Sequence, residues 1–180
     1  DLEEKVDQIR RLISKSGNVV LLEGNRRAGK SSILRQLEGN TFIPGWLSVY
    51  CSFQGAEGSE EGEGVPTADI FRAMAYRIAR GVSSLGQDTP LPDGSSKKAQ
   101  DRSISIKSAC KQGISAESPF SDFEEYLETI LDLLGEKNIG IVLMLDEFDK
   151  LQAGIDNGIT SPQVPENIRY LVQTLPRLSA

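Results

Sequence analysis

Residues 24–32 read GNRRAGKSS, and this stretch decides which fold the sequence predicts. Its spacing of Gly, four residues, Gly, Lys and Ser is typical of a phosphate-binding loop. A short apolar run at residues 19–22 leads into the loop, and a helical pattern over residues 31–38 follows it. This strand–loop–helix context predicts a loop whose backbone N–H groups surround the phosphates of a nucleotide.

Each position of the loop has a predicted role in binding a nucleotide. Gly24 and Gly29 suit backbone conformations and close approaches that a Cβ atom would obstruct. Lys30 is expected to reach the β- and γ-phosphates, and the Ser31 hydroxyl is expected to ligate Mg²⁺. The predicted nucleotide-binding residues are Gly24, Asn25, Arg26, Arg27, Ala28, Gly29, Lys30, Ser31 and Ser32.

A second motif, IGIVLMLDEFD, spans residues 139–149. Its consecutive apolar residues, 141–145, predict a strand that is buried on both faces, as in parallel sheets. The strand carries Asp146 and Glu147 to its C-terminal end, where α/β sheets bind ligands. We expect Asp146 to hold Mg²⁺, directly or through a water molecule. We expect Glu147 to orient or deprotonate an attacking water, so that Lys30 and Glu147 are the predicted catalytic residues.

Three further charges near the two motifs have open roles. Asp149 is a supporting acid, a partner for Arg26 or Arg27, or an ordinary surface charge. Either arginine is able to contact a phosphate, to pair with Asp149 or to face a neighbouring subunit. ATP is preferred to GTP, because the chain has no Asn-Lys-x-Asp stretch of the kind that binds guanine.

Composition narrows the classes of function. The 180 residues predict one domain, and their net charge of −6 disfavours a surface for non-specific nucleic-acid or membrane binding. A basic stretch at residues 97–111 still leaves nucleic-acid contact open. The absence of histidine excludes Ser-His-Asp and Cys-His catalysis. Two cysteines and no apolar run of about 20 residues predict a cytoplasmic chain without a membrane span.

Periodicity predicts the remaining elements. Helices are expected over residues 1–15, 67–82, 123–134 and near 166–175, with strands at 18–23 and 46–53. Residues 54–66 are rich in Gly and Glu and predict an exposed loop. Residues 83–117 are poor in large apolar side chains and predict an insertion or a mobile loop, partly ordered near Ile104 and Ile106.

The two motifs together carry a family resemblance. GNRRAGKSSIL followed by IVLMLDEFD resembles the STAND class of P-loop ATPases and the related archaeal-type and AAA+ ATPases. The likeness covers the first helix, the loop, the strand at 46–53 and the acidic strand, but not residues 83–117. It implies a P-loop NTPase fold, an α/β/α sandwich of three layers with a mainly parallel sheet. It also implies that Lys30 and Ser31 are Walker A residues, Asp146 the Mg²⁺ acid and Glu147 the hydrolytic base.

The resemblance also implies a function. The chain is expected to be an ATP-binding and ATP-hydrolysing switch module of a larger signal-transducing protein in defence or regulation. It is expected to self-associate and to act on sensor or effector domains outside residues 1–180. Family members carry a Gly-Arg motif before the first helix, and a sensor strand, an arginine finger and a helical lid after the acidic strand. We therefore expect a partial domain, and hydrolysis by this segment alone stays open.

Three alternative functions remain. The first is a nucleotide-binding oligomerisation module with negligible hydrolysis. The second is a DNA-associated ATPase of the initiator or loader type, which the net charge of −6 does not favour. The third is a small-molecule P-loop kinase, which would need an arginine-bearing lid and an acceptor pocket.

Overall fold

The computed structural model describes residues 2–13, 17–20, 29–39, 41–53, 64–85, 89–90, 96–97 and 102–180. Within them, the chain is an α/β structure with a small parallel sheet and several helices. The helices are α1 Leu2–Ile13, α2 Lys30–Gln36, α3 Thr67–Ser84, α4 Arg102–Gly113, α5 Pro119–Gly135, α6 Phe148–Asp156 and α7 Val164–Thr174. The strands are β1 Trp46–Ser52, β2 Thr89–Pro90, β3 Ser96–Lys97, β4 Gly140–Asp146 and β5 Leu178–Ser179.

The main sheet has the order β1-β4-β5, and both pairings are parallel. Ser52 of β1 lies opposite Asp146, so the two strands end at the same edge of the sheet. Residues 18–20 extend the sheet beyond β5, because the Val20 N–H donates to the Ala180 carbonyl at 2.8 Å and the Ala180 N–H donates to the Asn18 carbonyl at 3.1 Å. The short β2 and β3 form a separate antiparallel pair.

Helices cover both faces of the sheet, and strand alternation sorts the core into two clusters. One cluster joins α1 and α2 to the even-numbered positions of β1 and β4, among them Tyr50, Val142 and Met144. The other joins α3, α5 and α7 to the odd-numbered positions, among them Val49 and Leu143. The buried central strand β4 therefore has helices against each of its faces, as its apolar run predicts.

The structure confirms most of the elements that periodicity predicts, with small shifts of their ends. Helices α1, α2, α3, α5 and α7 and strands β1 and β4 all lie where they are expected. Helix α6 and strands β2, β3 and β5 have no counterpart in the prediction. None of the helices in the described part of the chain has the length and apolar character that a membrane span requires.

Residues 83–117, predicted as an insertion or a mobile loop partly ordered near Ile104 and Ile106, contain helix α4, which includes both isoleucines. Helix α4 packs against α3 and buries small side chains, Ala109 and Cys110, followed by Ile114. The Arg72 Nε donates to the Ile114 carbonyl at 2.8 Å, which fixes the end of α4 on α3. Since small residues make this contact, the segment lacks the stripe of large apolar side chains by which a helix is recognised.

Candidate functional site

The two motifs meet at the edge of the sheet where β4 ends. Asp146 is the last residue of β4, and Ser31 lies in the first turn of α2. A cavity of ≈ 650 Å³ opens here, and Lys30, Asp146 and Glu147 contribute to its lining. The cavity continues over apolar side chains of α1 and α2, including Ile9 and Leu34. The structure thus brings predicted residues from both motifs to one cavity.

The Asp146 carboxylate is the centre of a hydrogen-bond network. The Tyr50 hydroxyl donates to its Oδ2 at 2.8 Å, and the Glu147 backbone N–H donates to its Oδ1 at 2.9 Å. Asp146 is therefore tied to the strand beside it and to the residue after it. The Ser31 side chain also acts on this carboxyl, since it lowers the pKa of Asp146.

The surroundings of Asp146 favour its ionised form. Burial alone would raise the pKa of this carboxyl, but hydrogen bonds from Ser31, Tyr50 and the Glu147 N–H, together with the charge of Arg35, lower it below its ordinary value of 3.8. For Tyr50 the direction is opposite, because burial and the hydrogen bond to Asp146 raise its pKa above 10.0. Near neutral pH the pair is therefore a carboxylate and a protonated phenol, which is the arrangement that the hydrogen bond requires.

Sequence reasoning missed two members of this network, Tyr50 and Arg35. The Arg35 guanidinium carbon lies 5.3 Å from the centre of the Tyr50 ring, within the range of a cation–π contact. Arg35 follows Ser31 by four residues, so both lie on the same side of α2. That spacing is a signal that was present in the sequence. Tyr50 had no such signal, because it reaches Asp146 only through the pairing of β1 with β4.

Glu147 has an unusual backbone and an unpaired side-chain atom. Its φ of 58° and ψ of 43° are left-handed, a conformation that costs a non-glycine residue about 1–2 kcal/mol. Its Oε2 is buried without a hydrogen-bond partner among the described residues. Strained backbone of this kind persists where the surrounding structure imposes it, and it is frequent at functional sites. Glu147 is also the residue that directly precedes α6.

Only the end of the predicted phosphate loop belongs to the described residues. Gly29 has φ 78°, which favours glycine, and it directly precedes α2. Lys30 is half-buried at the cavity, whereas Ser32 is exposed. The predicted contacts of Gly24, Asn25, Arg26, Arg27 and Ala28 lie outside the described residues.

Asp149 is exposed in the first turn of α6, and its suggested pairing with an arginine of the loop likewise lies outside the described residues.

The donor set suits a hard cation. A carboxylate has about four lone-pair positions, and Tyr50 and the Glu147 N–H use two of those on Asp146. The remaining positions are able to accept a cation or a water bound to it. No group of three or more acidic or cysteine side chains that could hold a metal occurs among the described residues. Mg²⁺ does not need such a group, because it is commonly held by one or two carboxylates, waters and substrate phosphates.

Comparisons of the chain with known protein families, with curated proteins and with solved structures found no match. The resemblance to STAND-class ATPases therefore stays a prediction that rests on the two motifs. The features that bear on the chemistry of the site are the side chains around Asp146 and the cavity beside them.

Proposed function

We propose that this chain binds ATP with Mg²⁺ and hydrolyses it. The observation that carries the proposal is that Lys30 of the first motif and Asp146 and Glu147 of the second motif line one cavity. The two motifs are far apart in sequence. Ser31, the residue after Lys30, also lowers the pKa of Asp146, which supports a single site formed by both motifs.

Each residue has a distinct role in the proposed site. Lys30 binds the β- and γ-phosphates through its ammonium group. Ser31 offers its hydroxyl oxygen to the cation, beside the ionised Asp146 carboxylate. Bound Mg²⁺ would supply charge neutralisation at the β- and γ-phosphate oxygens. Glu147 accepts a proton from the attacking water or orients that water through its carboxylate.

The Glu147 Oε2 supports this last role, because it is buried and has no hydrogen-bond partner among the described residues. Such an oxygen costs free energy, and a water molecule is a donor that would satisfy it. Asp146, by contrast, already accepts hydrogen bonds on both of its oxygens, from Tyr50 and from the Glu147 N–H. The two neighbouring acids are therefore suited to different tasks, with Asp146 at the cation and Glu147 at the water.

We further propose that the ATPase is a switch module of a larger signal-transducing protein of the STAND or AAA+ kind. In this role it self-associates through the ATPase domain and acts on effector or sensor domains. The support for this part is the motif resemblance described above. A net charge of −6 does not favour nucleic acid as the partner.

Nucleotide binding is the first test. Lys30→Ala is expected to weaken binding of a fluorescent ATP analogue at least about tenfold, since a phosphate contact to a charged donor contributes about 1.5–3 kcal/mol. Lys137→Ala is the matched control, because Lys137 is exposed in the turn between α5 and β4, at the opposite end of that strand. Failure of the unaltered chain to bind ATP, or undiminished binding by Lys30→Ala, would overturn the proposal.

Hydrolysis is the second test. Glu147→Gln is expected to retain ATP binding and to lower phosphate release about 10²–10⁴-fold, the usual contribution of a general base. Glu136→Gln, at an exposed position after α5, should leave both properties unchanged. If the chain binds ATP but Glu147→Gln and the unaltered chain release phosphate equally, Glu147 is not the base. ATP binding without phosphate release, even with a supplied arginine, would indicate the oligomerisation module instead.

A further inference from the structure

Tyr50 of β1 adds a side-chain hydrogen bond to the backbone ladder that joins β1 and β4. Its ring is buried, with 7 % of the residue exposed, and it lies in the cluster under α1 and α2. Its hydroxyl donates to the Asp146 Oδ2 at 2.8 Å. Because β1 and β4 are held in register by a parallel ladder, the phenol approaches the carboxylate from a fixed direction.

The Arg35 guanidinium lies over the face of the Tyr50 ring. Its guanidinium carbon is 5.3 Å from the ring centre, and α2 also carries Ser31 one turn earlier. Helix α2 therefore acts on the surroundings of Asp146 through Arg35 and the ring of Tyr50, and Ser31 of the same helix lowers the pKa of Asp146. The carboxylate has both oxygens occupied by donors from different elements, which leaves it little freedom to rotate.

We propose that Tyr50 is a positioning residue that orients Asp146 for a divalent cation, with Arg35 holding the phenol in place. The inference rests on the proposed function, because it assigns to Asp146 the role of cation ligand. Groups that hydrogen-bond to a metal ligand orient it, and their loss typically weakens metal binding about 10–100-fold. Tyr50 then sets the affinity for Mg²⁺, whereas the affinity for ATP without the metal depends on Lys30 and the loop.

The test measures the metal dependence of ATP binding for Tyr50→Phe. The substitution keeps the ring and removes only the hydroxyl, so the packing around it is preserved. We expect the Mg²⁺ concentration that gives half-maximal enhancement of ATP binding to rise about 10–100-fold. We expect the ATP affinity in EDTA to stay within about twofold of that of the unaltered chain. The free energy of unfolding, measured in parallel, verifies that the variant is folded.

Tyr126→Phe is the matched control. Tyr126 is also buried, and its hydroxyl donates to the Ala75 carbonyl at 3.4 Å in the core cluster on the other face of the sheet. Its loss is expected to change neither the Mg²⁺ dependence nor the ATP affinity. An equal rise in the Mg²⁺ requirement of Tyr126→Phe would show that any lost hydroxyl has this effect, which would overturn the inference.

Arg35→Lys provides a second, independent variant. It keeps the positive charge near Asp146 but loses the planar group above the Tyr50 ring. We expect it to raise the Mg²⁺ requirement in the same direction as Tyr50→Phe, with unchanged ATP affinity in EDTA. Since Arg35 is exposed, this replacement removes little core packing and tests the inference even if Tyr50→Phe does not fold.

The outcomes separate the inference from the proposed function. If the unaltered chain does not bind ATP, or binds it without any response to Mg²⁺, the proposed function fails. If the unaltered chain responds to Mg²⁺ and both Tyr50→Phe and Arg35→Lys respond at the same concentration, only the positioning role of Tyr50 fails. Tighter Mg²⁺ binding by Tyr50→Phe would also overturn the role, because it would show that the phenol competes with the cation.

Discussion

The two faces of the sheet are built from the same strands and differ in chemistry. On the face under α1 and α2, β1 presents Ser48 and Tyr50, and β4 ends in Asp146. On the face under α3, α5 and α7, the alternate positions of both strands are apolar, and the helices add aromatic rings such as Phe71 and Phe123. Strand alternation separates these two environments across one backbone layer.

The difference separates residues that stabilise the fold from residues that we expect to bind a ligand. The apolar face is satisfied by its own contacts, since its buried side chains need no partner outside the core. The other face ends in the carboxyl groups of Asp146 and Glu147 at a cavity, and the Glu147 Oε2 has no hydrogen-bond partner in the part of the chain that the structure describes. We therefore expect changes on the apolar face to alter the free energy of unfolding, and changes on the polar face to alter ligand binding.

The largest expected effect is on the apolar face. Phe123 is fully buried, with its ring centre 5.2 Å from that of Phe71. Phe123→Ala is expected to lower the free energy of unfolding by about 3–5 kcal/mol, because it removes packed surface and leaves a cavity. Urea denaturation measures this loss, and the Mg²⁺ dependence of ATP binding should not change in the folded fraction. Phe120→Ala, on the same helix but only half-buried, is the control and should cost less.

An intermediate effect concerns pH. Burial raises the pKa of Cys51, on the apolar face, from 9.0 to about 12, with smaller opposing effects of Arg77 and Glu38. Above pH 9 the unfolded chain releases this thiol proton and the folded chain does not. The stability from this group is thus complete below pH 9 and falls by up to about 1.4 kcal/mol per pH unit toward pH 12.

Urea denaturation across this alkaline range tests the effect of Cys51. Cys51→Ala should remove its part of the slope, while Cys110, whose pKa burial also raises to about 12, keeps its own. An unchanged slope in Cys51→Ala would mean that the thiol is accessible to water in the folded chain. That result would contradict the burial of Cys51 in the core under α3, α5 and α7.

The smallest expected effect is at Ser48, a polar residue buried away from the cavity. Its hydroxyl has no hydrogen-bond partner among the described residues. Ser48→Ala should therefore change the free energy of unfolding by less than about 0.5 kcal/mol, since no hydrogen bond is lost. Thr160→Val is the contrasting variant, because the Thr160 hydroxyl donates to the Val65 carbonyl, and its loss should cost about 1–3 kcal/mol. Equal losses in the two variants would show that Ser48 does have a partner.

Local patterns predicted the elements that carry large apolar stripes and failed where a helix buries small residues. Helix α5 was predictable because Phe123, Tyr126 and Leu127 recur at helical spacing. Helix α4 was predicted only as partial order near Ile104 and Ile106, because Ala109 and Cys110 give a weak apolar signal although both are buried. Strand β5 has two residues, too few for any period to appear.

The sequence by itself determined the two motifs, the adjacent acids Asp146 and Glu147, and the continuous apolar run that buries β4 on both faces. Only the tertiary structure decided that β1 lies beside β4 and that α2 lies over the end of both. These two arrangements place Tyr50, Arg35 and Ser31 close to Asp146. Helical and strand periods are local properties of a chain, whereas the neighbours of a strand depend on the packing of segments that are distant in sequence.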